Sequence, residues 1–250
     1  MELSLGKTNY RQVCSMLRLI YQNPGINRKA LVESLCIDRA MVTHIYNYLV
    51  SHGWLIEQES MQKRLPLVLN KDRIKACGVE IQPEFQVLTI CKLSGEVLFE
   101  KEFDDTVYDV NAFLNSTLIP FLENIDIEIA GLGLAIPLLC QKSENVILKS
   151  YPLNLSNRVE LPKEITIKGN VIPVFIENDV RCWGWGKTAF NKENDPFFVF
   201  IQHFIDSKEN PEKFMRITGG SAFFINGSPV YGANGCAGEL PFIFRAEEYT

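Results

Sequence analysis

The stretch NRKALVESLCIDRAMVTHIYNYLV, residues 27–50, decides the fold of the front of the chain. Apolar residues recur at helical spacing on both sides of Cys36-Ile37, which predicts two short amphipathic helices joined by a tight turn. Asp38 stands where its carboxylate would accept from the free backbone N–H groups that open the second helix. The pattern indicates a helix-turn-helix, although a solvated helical hairpin in an ordinary domain has the same pattern.

Polar side chains fall on the face opposite the apolar stripe of the second helix. Such side chains can hydrogen-bond base edges or hold phosphates when a helix lies in the major groove of DNA. Two further polar residues open the first helix. The candidates for DNA contact in this stretch are Asn27, Arg28, Arg39, Thr43, His44 and Asn47.

The flanking segments extend the helix-turn-helix to a winged helix over residues 1–73. A further helix is predicted over residues 8–21, and two strands are predicted over 54–57 and 64–69. Lys63 and Arg64 fall at the tip of that hairpin, where they would bind phosphates and add affinity without specifying sequence. The alternative is a hairpin tip that only aids solubility.

The charge is distributed unevenly along the chain. Residues 1–73 contain ten Lys and Arg against six Asp and Glu, whereas the remainder contains 15 against 24. The net charge of the whole chain is −5. Because an acidic surface repels nucleic acid, any DNA contact is expected in the front part.

Composition excludes several classes of protein. The 250 residues are 46% hydrophobic, enough for one large domain or for a small domain plus a medium one. No apolar run approaches the ~20 residues of a membrane span, and the first ten residues lack the features of a signal peptide. We therefore expect a cytoplasmic protein with no membrane partner. The seven cysteines form no C-x-C or C-x-x-C pair, so neither a metal site nor a disulfide framework is signalled.

A second domain is predicted to begin near Ile74. Pro120 lies inside its first helix and implies a kink or an early end there. The order βββαβαβ, with a mixed sheet covered by helices, is α/β architecture. The predicted strands are 77–82, 86–91, 96–101, 127–137 and 171–176, and the predicted helices are 110–123 and one that follows residue 179.

Three motifs in this second part carry a family resemblance. They are GLGLAIP at residues 131–137, VFIEND at residues 174–179 and YGANGCAGE at residues 231–239. Through them the chain resembles a transcriptional regulator of the ROK family (repressors, open reading frames and sugar kinases), and the resemblance covers nearly all 250 residues.

The resemblance implies a winged helix-turn-helix followed by an actin-like (ribonuclease H-like) ATPase-type domain over residues 74–250. The first lobe would span about 74–192, and a partial second lobe about 193–250. The sequence either is a fragment or belongs to a naturally shortened member, and in both cases we expect an exposed apolar face on the second lobe unless a partner covers it.

The sequence departs from the kinases of the family at both phosphate loops. Where they have a glycine-rich turn, this chain has EIQPEF at residues 80–85, and Pro83 has no N–H to donate to a phosphate. A longer polar insert, residues 201–213, replaces the second loop. Phe242 stands in place of the family's sugar- and zinc-binding histidine. We therefore expect no kinase activity, no cofactor and no metal.

By resemblance, Asn178 and Asp179 would hydrogen-bond sugar hydroxyl groups, and Glu239 would contact the sugar from the second lobe. Asp179 matches the position of the family's catalytic base, a role that requires the missing phosphate loops. The alternative is that Asn178 and Asp179 cap the helix that follows them.

The sequence thus predicts a DNA-binding transcriptional regulator, a repressor that binds a double-stranded operator and senses a sugar or amino sugar. A homodimer is expected, because two-fold pairing supplies a second half-site. Two alternatives remain open: a sugar kinase of the same family, and a ligand-free regulator whose second domain only dimerises.

Overall fold

The computed structural model of the protein describes residues 7–57, 67–190, 195–206, 214–232, 235–239 and 244–245. The chain forms two compact units, residues 1–75 with 92–96, and residues 76–91 with 97–250. Within the described ranges, no helix is long and apolar enough to cross a membrane.

The first unit has three helices followed by a two-stranded hairpin, in the predicted order. Its elements are α1 (Lys7–Gln22), α2 (Arg28–Leu35), α3 (Arg39–Ser51), β1 (Leu55–Glu57) and β2 (Leu67–Leu69). The two strands pair antiparallel, with Leu55 opposite Leu69. The tip that would carry Lys63 and Arg64 lies outside the described residues.

The core of the first unit forms where the three helices meet. Helix α1 contributes Val13, Met16 and Ile20, which are spaced by three or four residues and so share one face. From their apolar character Leu17 and Leu19 were also expected to face inward, but both are only half-buried at the margin of this core. Met16 takes the central position instead and is completely buried.

The second unit contains a six-stranded mixed sheet. Its strands are β3 (Lys75–Ile81), β4 (Gln86–Lys92), β5 (Val97–Phe103), β6 (Leu132–Ile136), β10 (Glu164–Ile167) and β11 (Asn170–Asn178), in the order β10-β11-β6-β3-β4-β5. The central strands β11, β6 and β3 run parallel, whereas β10 and β5 pair antiparallel with their neighbours. The predicted mixed sheet is therefore present.

Two predictions about the region between β6 and β11 are wrong. Strand β6 begins at Leu132, not at residue 127. The order βββαβαβ also implied a helix before β11, but this region forms a small antiparallel sheet of β7 (Leu139–Gln141), β8 (Val146–Lys149) and β9 (Val159–Glu160). Asn145 and Asn154 adopt left-handed backbone conformations in this region, which interrupt a helix.

Pro120 is accommodated without ending its helix. Helix α4 (Val110–Phe113) passes through a π-helical turn, Leu114–Leu118, into α5 (Ile119–Asn124). Proline cannot donate the usual backbone bond, and a local π turn shifts the pairing so that the helix continues. The predicted kink is thus realised as a change of helix type.

The last part of the second unit is a helix packed on a second sheet. Its elements are α6 (Asp179–Phe190), β12 (Phe197–Asp206), β13 (Phe214–Ile225), β14 (Ser228–Pro229) and β15 (Phe244–Arg245). β12 and β13 pair antiparallel from Phe197 opposite Phe224 to Asp206 opposite Phe214. Residues 201–206, predicted as the start of a polar insert, therefore continue β12, and residues 207–213 lie outside the described ranges.

The two faces of this second sheet differ. One face packs Val180, Ala222 and Phe224 into a small core. The other face exposes about half of each of four apolar side chains: Phe198 (53%), Phe200 (51%), Phe223 (49%) and Ile225 (51%). We call these four residues the phenylalanine face.

Helix α6 approaches the second sheet closely at one glycine. A Cβ atom on Gly184 would lie 2.0 Å from the ring of Phe224, which is 1% exposed. The same ring stacks on Phe197 at 4.8 Å between centroids and meets Trp185 edge-on at 5.8 Å. A Cβ on Gly186, in the same helix, would meet nothing within 4 Å.

We expect Gly184→Ala to lower the free energy of unfolding by about 1–3 kcal/mol, because the added methyl group overpacks a fixed ring. Gly186→Ala is the matched control, and it should raise stability by up to about 1 kcal/mol through helix propensity. Urea unfolding of both variants measures the difference. Equal effects of the two substitutions would contradict the close packing.

Candidate functional site

Helix α3 buries one face and leaves the other in solvent. The carboxylate of Asp38 accepts from the backbone N–H of Met41 at 2.8 Å, which confirms the predicted N-cap. Val42 and Ile45 are completely buried, and Leu49 is almost so. The cap and this apolar stripe together fix where the helix begins and which side faces outward.

The predicted DNA-contact residues of α3 lie on its outer side. Arg39, His44 and Asn47 are exposed, and Thr43 is half-buried. Arg39, Thr43 and Asn47 follow one another at intervals of four residues, so they share one helix face. The Thr43 hydroxyl donates to the Arg39 carbonyl at 2.9 Å and so uses its hydrogen within the helix.

Asn27 and Arg28 are exposed at the start of α2, and each already has a structural contact. The Asn27 side-chain oxygen accepts from the Ala30 N–H at 3.0 Å, so Asn27 is the N-cap of α2. The Arg28 guanidinium lies over the Tyr46 ring, 3.6 Å from its centroid. Sequence reasoning found neither contact.

In the second unit, polar residues gather at one edge of the six-stranded sheet. Glu80 of β3 and Glu177 of β11 lie opposite the same residue of β6, Ala135. The carboxyl ends of these parallel strands therefore meet, and Gln82 and Asn178 come together there. This is the edge at which open α/β sheets bind ligands.

The structure brings Asn178, Asp179 and Glu239, the predicted sugar-contact residues, to this edge. The Asn178 amide donates to the Glu239 carboxylate at 3.4 Å. Asn178 and Asp179 are each 6% exposed. Both side chains also accept hydrogen bonds from backbone N–H groups in the first turn of α6. The Asn178 side-chain oxygen accepts from the Arg181 N–H at 3.2 Å, and a carboxylate oxygen of Asp179 accepts from the Val180 N–H at 2.9 Å.

Glu239 is positioned through the backbone of the residue before it. The Ser221 hydroxyl and N–H both donate to the Gly238 carbonyl, at 2.7 and 3.0 Å. Gly238 has a φ of +88°, and a Cβ there would lie 2.0 Å from the Ser221 carbonyl oxygen. Only glycine fits this position, which explains one glycine of the 231–239 motif.

Arg181 was missed by sequence reasoning, although a charged residue in the opening turn of a largely apolar helix was a signal. It is 1% exposed, and its guanidinium donates to the Gly235 and Ala237 carbonyls at 2.7 and 3.2 Å. The same group lies 3.6 Å from the carboxylates of Glu177 and of Glu239. Arg181 therefore ties the 231–239 motif to α6.

A second missed group surrounds Glu177, which is 7% exposed. The Lys142 ammonium lies 2.6 Å from a Glu177 carboxylate oxygen, and the Tyr231 hydroxyl donates to the same oxygen at 2.8 Å. Lys142 also donates to the Tyr231 hydroxyl at 2.7 Å. Glu177 and Tyr231 belong to the motifs, but nothing in the sequence marked Lys142.

The pKa values of Glu177 and Glu239, the two glutamates at this edge, are shifted in opposite directions. Burial raises the pKa of Glu177, but hydrogen bonds from Lys142 and Tyr231 outweigh it and hold that pKa below its ordinary value. Burial also raises the pKa of Glu239, here to about 7, and Asp179 adds to the rise while Arg181 opposes it. Glu239 therefore titrates near neutral pH.

The turn after β3 offers few backbone donors. The Gln82 N–H already donates to the Phe85 carbonyl at 3.0 Å, and Pro83 has no N–H. The Gln82 side chain donates instead to Asp179 at 3.0 Å and to Glu80 at 3.3 Å. The described residues contain no group of three His, Cys, Asp or Glu side chains able to hold a metal ion, and Phe242 lies outside them.

We expect the free energy of unfolding to fall as pH rises from 5 to 8, because of Glu239. Its pKa is 4.5 in the ordinary case and about 7 in the fold, so its stabilising contribution is complete below 4.5 and is lost as pH rises through 7. A third of the side chain is exposed, so the loss should be only about 1–2 kcal/mol.

Denaturant unfolding at several pH values measures this dependence. Glu239→Gln should flatten it, whereas Glu144→Gln, at an exposed glutamate paired with Arg158, should leave it intact. A wild-type profile that is flat between pH 5 and 8 would contradict the burial of Glu239.

Comparisons with known proteins give two family matches. A model described as the ROK family matches residues 76–244, and one described as the MarR family matches residues 12–62. The chain is 23% identical over 189 residues to a xylose repressor of Caldicellulosiruptor bescii, covering 71% of this chain and 47% of that protein. It is also 23% identical over 186 residues to the xylose repressor of Bacillus subtilis, covering 70% and 48%. The chain thus spans about half the length of these relatives.

A solved structure confirms the fold. A crystal structure described as a ROK family transcriptional regulator, homolog of the E. coli MLC protein, superposes with a TM-score of 0.61 and 16% identity. The match covers 93% of this chain and 59% of the other. The predicted combination of an N-terminal helix-turn-helix with a sugar-kinase-like α/β fold is therefore correct.

Proposed function

Because the chain belongs to the ROK family, we propose that it is a DNA-binding transcriptional repressor of that family and not a sugar kinase. The observation that carries the proposal is the outer face of α3, where Arg39, His44 and Asn47 are exposed on a helix whose start is fixed by Asp38. The match to the MarR family over residues 12–62 and the names of the repressor relatives support it.

The proposed division of labour follows the two parts of the chain. Residues 1–73, with their excess of basic residues, would bind operator DNA, and residues 74–250 would bind the effector and pair two chains. Asn27 and Arg28 would assist at the start of α2, and Lys63 and Arg64 would bind phosphates. We place the protein in the cytoplasm as a homodimer with no membrane partner.

Phosphoryl transfer is disfavoured by the turn that follows β3. Kinases bind the charged phosphates through backbone N–H groups, but here Gln82 spends its N–H on Phe85 and Pro83 has none. Glu84 adds a negative charge in the same turn. Asp179 has the position of a catalytic base, but its carboxylate accepts from Val180 and Gln82.

The proposed effector is a sugar or a sugar derivative. Carboxylate and amide groups such as those of Asn178, Asp179 and Glu239 are suited to hydroxyl groups. Because two relatives are named xylose repressors, D-xylose is the first probe. The direct contact of Asn178 with Glu239 favours a second candidate, a ligand-free regulator whose second domain only dimerises.

We expect Arg39→Ala to weaken binding to a specific DNA site at least about tenfold, because an arginine that contacts a base edge contributes about 1–3 kcal/mol. The probe is a duplex selected from a random-sequence pool with the wild-type protein. Fluorescence anisotropy at fixed salt then gives the dissociation constants.

Arg18→Ala is the matched control, because it removes an exposed arginine from α1 of the same unit. It should change the affinity for the selected duplex less than twofold. Equal losses for the two variants would point to a general charge effect, and full binding by Arg39→Ala would refute the assignment of α3.

We expect calorimetric titration with D-xylose, D-glucose and N-acetyl-D-glucosamine to give saturable binding of at least one sugar. Asp179→Asn should weaken that binding at least about tenfold, since a hydrogen bond to a charged group is worth about 1.5–3 kcal/mol. ATP with the bound sugar should yield no phosphorylated product. Absence of heat with all three sugars would favour the ligand-free candidate, and ATP turnover would favour the kinase.

A further inference from the structure

The side chain of Gln82 bridges two carboxylates at the carboxyl edge of the six-stranded sheet. Its amide nitrogen lies 3.0 Å from Asp179 Oδ2 and 3.3 Å from Glu80 Oε1. A primary amide nitrogen carries two hydrogens, so one is available for each carboxylate. Gln82 and Asp179 are only 4% and 6% exposed, so water competes poorly for these bonds.

The backbone around Gln82 is held in place on both sides of the turn. Its N–H donates to the Phe85 carbonyl at 3.0 Å, and its carbonyl accepts from the Gln86 amide at 2.9 Å. Gln86 is fully buried and also donates to the Asp105 carbonyl at 3.0 Å. The bridging amide therefore extends from a fixed turn and reaches both carboxylates without any movement of the loop.

The bridge addresses an electrostatic conflict. Two carboxylates that face one nitrogen repel each other, and removal from water adds to the cost. A neutral amide with two donors offsets that repulsion without adding charge. It also occupies Asp179 Oδ2, while Asp179 Oδ1 accepts from the Val180 N–H at 2.9 Å. Both oxygens of Asp179 thus accept from donors of the protein itself.

We infer that Gln82 is a positioning residue that stands in for a donor group of the effector. The Gln82 amide donates to Asp179 Oδ2, and a polyhydroxylated effector binds by exchanging one of its hydroxyl groups for this amide. This inference rests on the proposed effector site, and the exchange of the Gln82 amide is the step that makes Asp179 available to the effector. Affinity for the effector is then set partly by a residue outside the family motifs.

The first measurement needs no effector. The full-length chain, labelled with ¹³C at aspartate carboxyl groups, is titrated by NMR, and Asp179→Asn assigns the resonance. In Gln82→Ala the pKa of Asp179 should rise by about one unit or more, because the carboxylate loses a donor while Glu80 remains nearby. Gln82→Lys, which retains N–H donors, should not raise that pKa.

The second measurement is calorimetric titration of the same proteins with D-xylose. Gln82→Ala should bind D-xylose about tenfold more tightly than the wild type, because the hydrogen bond from the Gln82 amide to Asp179 no longer has to be exchanged. Gln141→Ala is the matched control for both measurements. It removes an amide that donates to the Glu144 carboxylate at 2.9 Å in an exposed pair, and it should change neither result.

The outcomes separate the inference from the proposed function. An unchanged Asp179 pKa in Gln82→Ala overturns the bridge, whatever the affinity for D-xylose. A raised pKa with unchanged or weaker D-xylose binding overturns the exchange. A raised pKa with no D-xylose binding to any of the proteins supports the bridge but overturns the exchange with D-xylose, while sugar sensing itself fails only if all three sugars give no heat.

Discussion

The second unit depends on how it compensates one buried negative charge. Glu177 is 7% exposed at the carboxyl end of a central strand, and a carboxylate is expensive to remove from water unless it is paired. Lys142 and Tyr231 supply that pairing. Lys142 and Tyr231 come from segments far apart in sequence. Their contacts with Glu177 therefore hold both the small antiparallel sheet and the 231–239 motif at the edge of the main sheet. Arg181 extends the same compensation to Glu239.

This compensation supports the proposal that the edge binds a neutral ligand and does not transfer phosphate. Phosphate transfer needs a concentration of N–H donors and positive charge around the transferred group. Here the cations Lys142 and Arg181 are engaged by carboxylates of the protein. What the edge retains is a set of acceptors and amides, which suits recognition of neutral polyols better than that of anions.

Sequence reasoning succeeded where the signal was local. The Asp38 cap, the three helices with their hairpin, and the meeting of Asn178 with Glu239 all followed from short patterns or motifs. It failed where the partner is remote: Lys142 lies 35 residues from Glu177 and 89 from Tyr231. A lone lysine carries no periodic signal, and only the folded sheet reveals that it is a counter-ion. The strands around β8 were missed for a different reason: they are short, and short strands show little alternation of apolar and polar residues.

The phenylalanine face has a practical consequence for anyone who studies this protein in solution. In the 250-residue chain, dyes that fluoresce on hydrophobic surfaces are expected to bind there, because Phe198 and Phe223 form a tilted aromatic pair and about half of each side chain is exposed. Dye-based melting curves will then begin from a high background. The three tryptophans, Trp54 in the first unit and Trp183 and Trp185 in the second, provide an intrinsic emission signal that avoids this artefact.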